Sequence, residues 1–258
     1  MDNGHMHPSF ARVIAQKEHL KKKLSSIKHK IGIYSAKGGV GKTTTAVNIA
    51  YSLAKLGHSV GLLDADIDCP NVTMFLGMES AKLDSVQPMR PIVHQGVKVL
   101  STAMVVDEMK MPMIWRGPII TKMVWELLAN SEWGDLDYLV IDLPPGTSDS
   151  PLTIMQLLGL DGFVIVTTPQ KISAVNSIRS GIMAKRLGAP ILGVVENMSS
   201  GEISKHTKAV ADELGTDVLG SVKRDDIFNS CSDSGKVAVL EDREAADAYL
   251  RIVQNLLG

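Results

Sequence analysis

The chain has 258 residues, 45% of them hydrophobic, and a formal net charge of −1. That length suits one α/β domain, and the charge argues against a protein that coats nucleic acid electrostatically. No apolar run of about 18 residues or secretory leader is seen, and two cysteines, Cys69 and Cys231, suit a reducing cytoplasm rather than a disulfide framework.

Residues 1–29 read as a basic helical extension carrying Lys17, Lys21, Lys22, Lys23 and Lys28. Leu20, Leu24 and Ile27 follow Val13 and Ile14 at helical spacing, which predicts an amphipathic helix leaning on the domain, with a partner-touching basic arm as the rival reading. From residue 30 to 258 the pattern becomes strand, loop, helix, repeated. Short apolar runs rich in β-branched residues occur at 31–35, 59–63, 97–101, 138–141, 163–167, 191–195 and 218–222. They are apolar on both faces, as strands buried between two helix layers must be. Helical patterns at 43–56, 171–187 and 203–214 each stop at a glycine (Gly57, Gly188, Gly215). Repeated β-α-β units predict a single doubly wound, mostly parallel sheet flanked by helices.

Between the first strand and the first helix lies "AKGGVGKTT" (36–44). In such a sheet, ligands bind beyond the carboxyl ends of the strands. Glycines there let backbone N–H groups face phosphate oxygens, and the helix N-terminus adds a favourable field. Lys42 is placed to bridge the outer phosphates and the Thr43 hydroxyl to hold Mg²⁺. The strict G-x-x-x-x-G-K-[ST] pattern fails at its first position, which is Ala36. Two further strand ends carry acid: "GLLDADIDCPN" supplies Asp64, Asp66 and Asn71, and "DYLVIDLPPGTSDSP" supplies Asp142 after an apolar run. A guanine-reading N-K-x-D segment is absent, so adenine is the expected base.

The glycine loop, with Lys37 just before Gly38-Gly39, resembles that of the MinD/ParA group of P-loop ATPases. The resemblance implies that Lys37 crosses to the nucleotide of a facing subunit, as an arginine finger does. It implies ATP contacts from Lys37, Gly38, Gly39, Val40, Gly41, Lys42, Thr43 and Thr44, with Asn197 of "VVENMS" at the base. Metal contacts fall to Thr43, Asp66 and Asp142. Asp142 looks like a Walker B aspartate that orients Mg²⁺ through its water shell. Asp66 resembles the residue that positions the attacking water, and Lys37, Lys42 and Asp66 form the implied catalytic set.

Together, "IDLPPGTSDSPLT" (141–153), "WRGPI" (115–119), "TTPQ" (167–170), "ENMS" (196–199) and "SDSGK" (232–236) resemble the Mrp family, from about residue 18 onward. That likeness implies a homodimer, joined through its nucleotide face, that hydrolyses Mg-ATP slowly and carries an iron–sulfur cluster to client apoproteins. One feature departs from the pattern. The family usually places C-x-x-C after "ENMS", but here "ENMSSGEISKHTKAVADELG" has no cysteine, and clusters need thiolate ligands. Cys69 and Cys231 have no chelating spacing and read as structural or incidental. Met104, Met109, Met111 and Met113 supply flexible thioethers suited to a dimer or client contact. The rival function is a metal-free, ATP-dependent dimer switch acting on a protein partner. The final helix has too few cations for a membrane-surface anchor.

Overall fold

The computed structural model describes residues 18–83, 88–105, 117–147 and 149–258. Eight strands form one sheet in the order β3-β4-β2-β5-β1-β6-β7-β8. They are β1 (Ile27–Tyr34), β2 (Val60–Asp64), β3 (Ile92–His94), β4 (Val97–Ser101), β5 (Leu136–Asp142), β6 (Gly162–Thr167), β7 (Ile191–Ser199) and β8 (Val218–Lys223). Every neighbouring pair is parallel except β3 with β4.

The helices are α1 (residues 18–23), α2 (Lys42–Lys55), α3 (Val72–Phe75), α4 (Gly117–Asn130), α5 (Asp149–Leu158), α6 (Lys171–Arg186), α7 (Lys205–Leu214), α8 (Asp226–Asp233), α9 (Ala238–Glu241) and α10 (Arg243–Leu257). Strand periodicity sorts the core into two layers. Leu139 and Ile141 of β5 face a cluster containing α4, α5 and α7 residues, while Val140 faces one containing α2 and α10 residues. Both faces are therefore dry, which is why these strands read as unbroken apolar runs.

Four details refine the sequence reading. The first strand begins at Ile27, so the sheet starts inside the stretch read as the extension. Leu20, Leu24 and Ile27 are all buried against the domain, and Lys28 and Lys30 pair with Asp137 and Asp161. Val13, Ile14, Lys17, Met109, Met111 and Met113 lie outside the described residues, whereas Met104 is buried in the core. Finally, the antiparallel edge strand β3 was not foreseen. Gln95 and Gly96 join it to β4 with φ of 44° and 87°, the doubly positive turn that suits a two-residue hairpin. Gln-Gly here does the work usually signalled by Asn-Gly.

Candidate functional site

The strand order places the candidate residues side by side. β1 is central, with β5 next to it and β2 beyond, so β1 delivers the glycine loop and its neighbours deliver the aspartates. Asp142 is opposite Ile33 on one side and Asp64 on the other. All three strands end at the same edge, where α2 begins.

Local chemistry fixes the loop. Ser35 Oγ donates to the Lys37 carbonyl at 3.0 Å, and Thr45 Oγ1 donates to the Gly41 carbonyl at 2.9 Å. Gly41 precedes the first residue of α2 with φ 85° and ψ 32°. A side chain there would be both strained and blocked, because a Cβ would sit 1.9 Å from Asn197 Nδ2. Asn48 ties the next turn: its Nδ2 donates to the Thr44 carbonyl, and its Oδ1 accepts from the Val239 N–H.

Lys42, Thr43 and Asp142 form one cluster. Lys42 Nζ lies 2.5 Å from Asp142 Oδ1, and Thr43 Oγ1 donates to Asp142 Oδ2 at 2.6 Å. The Asp142 side chain is only 1% exposed, so its charge depends on these two partners. A cation, a hydroxyl and a carboxylate in contact fit a bound Mg-nucleotide, with Thr43 and Asp142 as the oxygen groups and Lys42 as the phosphate-facing cation.

Asp66 is near this cluster and largely buried. Burial pushes its carboxyl up to about 6, with Lys42 pulling partly the other way. Its Oδ1 accepts from the Cys69 N–H at 3.2 Å. Asp64, fully buried, accepts from the N–H groups of Asp66 and Val72 and from Ser101 Oγ, each at 3.1 Å. It thereby fixes the start of the Asp66 loop. Burial, reinforced by the charge of Asp142, raises its pKa. The sequence marked Asp64 as a strand end but did not reveal this clamp.

Lys37, Gly38 and Gly39 are exposed, and Lys37 has no side-chain partner among the described residues. Asn197, expected at the base, is buried and donates through Nδ2 to the Val40 carbonyl at 2.9 Å, so it braces the glycine loop here. The loop lies on an open face. Cavities of about 560 and 410 Å³ lie elsewhere, one along β8 and one beneath α1. Around that open face, the carboxyl-terminal end of β7 exposes Met198, and the segments following β2, β4 and β6 expose Met74, Val105, Ile172 and Val175.

The cysteine-free segment after "ENMS" has its own organisation. Glu196, fully buried, accepts from the Ser204 N–H and from Ser204 Oγ at 2.5 Å, and also from Thr207 Oγ1. Ser204 is the N-cap of α7. The chain thus closes directly into a helix cap, and no thiol lies within it. Cys69 is exposed and Cys231 buried. Among the described residues, no group of three or more His, Cys, Asp or Glu could hold a metal ion. "WRGPI" begins outside the described residues.

A glycine-rich loop ending in Gly-Lys-Thr, directly after a strand and opening a helix, is the arrangement that marks P-loop nucleotide-binding proteins. The chain belongs to the ParA family, in the group described as NUBPL iron-transfer P-loop NTPase, whose model matches residues 26–257. It is 40% identical to an iron–sulfur cluster carrier protein of Methanocaldococcus jannaschii, covering 97% of this chain and 91% of that one. A nucleotide-binding protein of Archaeoglobus fulgidus, solved with ADP, superposes with a TM-score of 0.77 at 33% identity, over 90% of this chain and 96% of that one. The cell division ATPase MinD of Pyrococcus furiosus shares the fold, with a TM-score of 0.69 at 23% identity over 89% and 98% of the two chains. These matches bear out the Mrp-type resemblance and the doubly wound, mostly parallel P-loop fold. Among the described residues no helix is long and apolar enough to cross a membrane.

Proposed function

We propose that the protein binds Mg-ATP, hydrolyses it slowly as a homodimer, and acts in the assembly or carriage of iron–sulfur clusters for client apoproteins in the cytoplasm. The observation that carries the ATPase reading is the contact of Lys42, Thr43 and Asp142, with Asp66 beside it and Lys37 outside it, exposed and unengaged. The chemistry is positioning and charge stabilisation. Loop amides and Lys42 hold the phosphates, while Thr43 and Asp142 supply oxygen atoms for Mg²⁺. Asp66 orients the attacking water. Its raised pKa suits a group that accepts a proton near neutral pH. Lys37 serves a second copy's nucleotide, which would close the open face, and the exposed Met74, Ile172, Val175 and Met198 supply apolar area for that contact.

The cluster is cargo, and its carriage rests on likeness to the named carrier proteins. One chain does not offer a fitting ligand set, because Cys69 and Cys231 are its only thiols. Two copies would supply four. The same observation favours a second reading, a metal-free switch in which ATP-driven pairing regulates a protein partner. Iron and acid-labile sulfide analysis after anaerobic reconstitution separates the two. About one four-iron cluster per dimer supports carriage, while stoichiometric ATP binding with no retained iron supports the switch.

A further inference from the structure

Tyr34, the last residue of β1, is fully buried, and its ring packs near Phe163 with centroids 6.3 Å apart. A phenylalanine would fill that space equally well, yet the hydroxyl is used. It donates to the Gly146 carbonyl at 2.5 Å, while the Gly146 N–H donates to the Ser35 carbonyl at 3.2 Å. Both hydrogen-bonding groups of Gly146 are thus tied to the two residues where β1 becomes the glycine loop. Burial pushes the Tyr34 phenol up to about 12, so it stays a donor at physiological pH.

The intervening sequence explains why such a tie is needed. After Asp142, the Leu143 N–H donates to the Ile33 carbonyl at 3.2 Å, continuing the sheet contact. Pro144 and Pro145 follow, and neither has an N–H to give. Gly146, at φ 99°, is the next residue with a donor, in a conformation that favours glycine. Beyond the two prolines, the Tyr34 hydroxyl adds a second tie to the Gly146 N–H bond in holding this loop to the end of β1.

We propose that Tyr34 is a positioning residue, whose hydroxyl latches the loop after Asp142 to the root of the glycine loop. The latch holds Asp142 and its following loop in one spacing from Lys42 and Thr43 before nucleotide arrives. It acts through backbone and touches no substrate. The hydroxyl also meets Met183 Sδ of α6 at 3.9 Å, so α6 is seated against the same point. The catalytic consequence rests on the ATPase reading above, whereas the latch itself does not.

Tyr34→Phe removes only the hydroxyl and keeps the packed ring. Two measurements test it: amide hydrogen exchange at Gly146 without nucleotide, and steady-state ATP hydrolysis together with ATP affinity. Loss of one hydrogen bond at a part-buried carbonyl predicts exchange at Gly146 about five- to tenfold faster. It also predicts kcat lower by a similar factor, with the ATP Kd within about twofold, since the phosphate-binding groups remain. Unchanged exchange at Gly146 overturns the latch, whether or not ATP is hydrolysed. Faster exchange with unchanged kcat overturns its positioning role. Wild-type protein that turns over no ATP overturns the ATPase reading and the catalytic role together, and is recognised before any variant is compared.

Discussion

Replacing Lys42 with methionine keeps the apolar stem but removes the cation. Asp142 is then left buried, 1% exposed, with the Thr43 hydroxyl as its one remaining side-chain donor among the described residues and two other aspartates close by. Removing one partner of a buried ion pair costs about 3–5 kcal/mol, mostly as the penalty of the uncompensated charge. For a chain of this size, each kcal/mol lowers the melting temperature by about 2–4 °C, so a loss of roughly 6–20 °C is expected. Thermal unfolding without nucleotide measures it, alongside a Lys42→Met/Asp142→Asn double variant. The double variant should recover most of the loss, since no charge is stranded. Lys42→Met within about 0.5 kcal/mol of wild type would refute the reasoning and mark the pair as energetically idle. Calorimetry of the same variant should also show lost ATP affinity.

Asp66→Asn should keep ATP bound while turnover falls about 10²-fold or more, and equal losses of affinity and turnover would make Asp66 a binding residue instead. Gly41→Ala should cost at least about 1–2 kcal/mol from its left-handed backbone alone, plus displacement of Asn197, and full stability with normal ATP binding would contradict the loop geometry. His94 donates or accepts at Nδ1 with the buried Tyr51 hydroxyl, and burial lowers its pKa below the usual imidazole value. Its stabilising contribution is therefore complete above about pH 6.5 and is lost as pH falls below that value toward the folded pKa. His94→Gln should flatten the change in urea midpoint between pH 7.5 and 5.5; an unaltered slope would remove His94 from the account.

Much of the scaffold was readable because its strands are buried on both faces and its helices stop at glycines. Gly57, Gly188 and Gly215 do sit in left-handed backbone just past α2, α6 and α7. The glycine loop was legible too, since it concentrates rare residue types at fixed spacing. What escaped were contacts between segments far apart in sequence. Tyr34 to Gly146 spans 112 residues, and Asn197 to Val40 spans 157, so neither leaves a local pattern. Glu196 looked like part of a family motif, and only the fold shows it bracing Ser204, the N-cap of α7, in a segment without cysteines. Strand β3 escaped because three residues, Ile92–His94, are too few for periodicity to register.

Trans action by Lys37 is the claim on which ATP-dependent pairing depends. Lys37 is exposed, without a side-chain partner among the described residues, while Lys42 is held by Asp142 of its own chain. The most direct test mixes a Lys37→Ala chain with an Asp66→Asn chain and measures ATP turnover. One of the two sites in a mixed dimer then has an intact Asp66 from one copy and an intact Lys37 from the other, and the second site carries both defects. The account predicts turnover in the mixture above that of either variant alone. No recovery, with mixed dimers demonstrated by co-purification of differently tagged chains, would contradict it and confine Lys37 to its own chain.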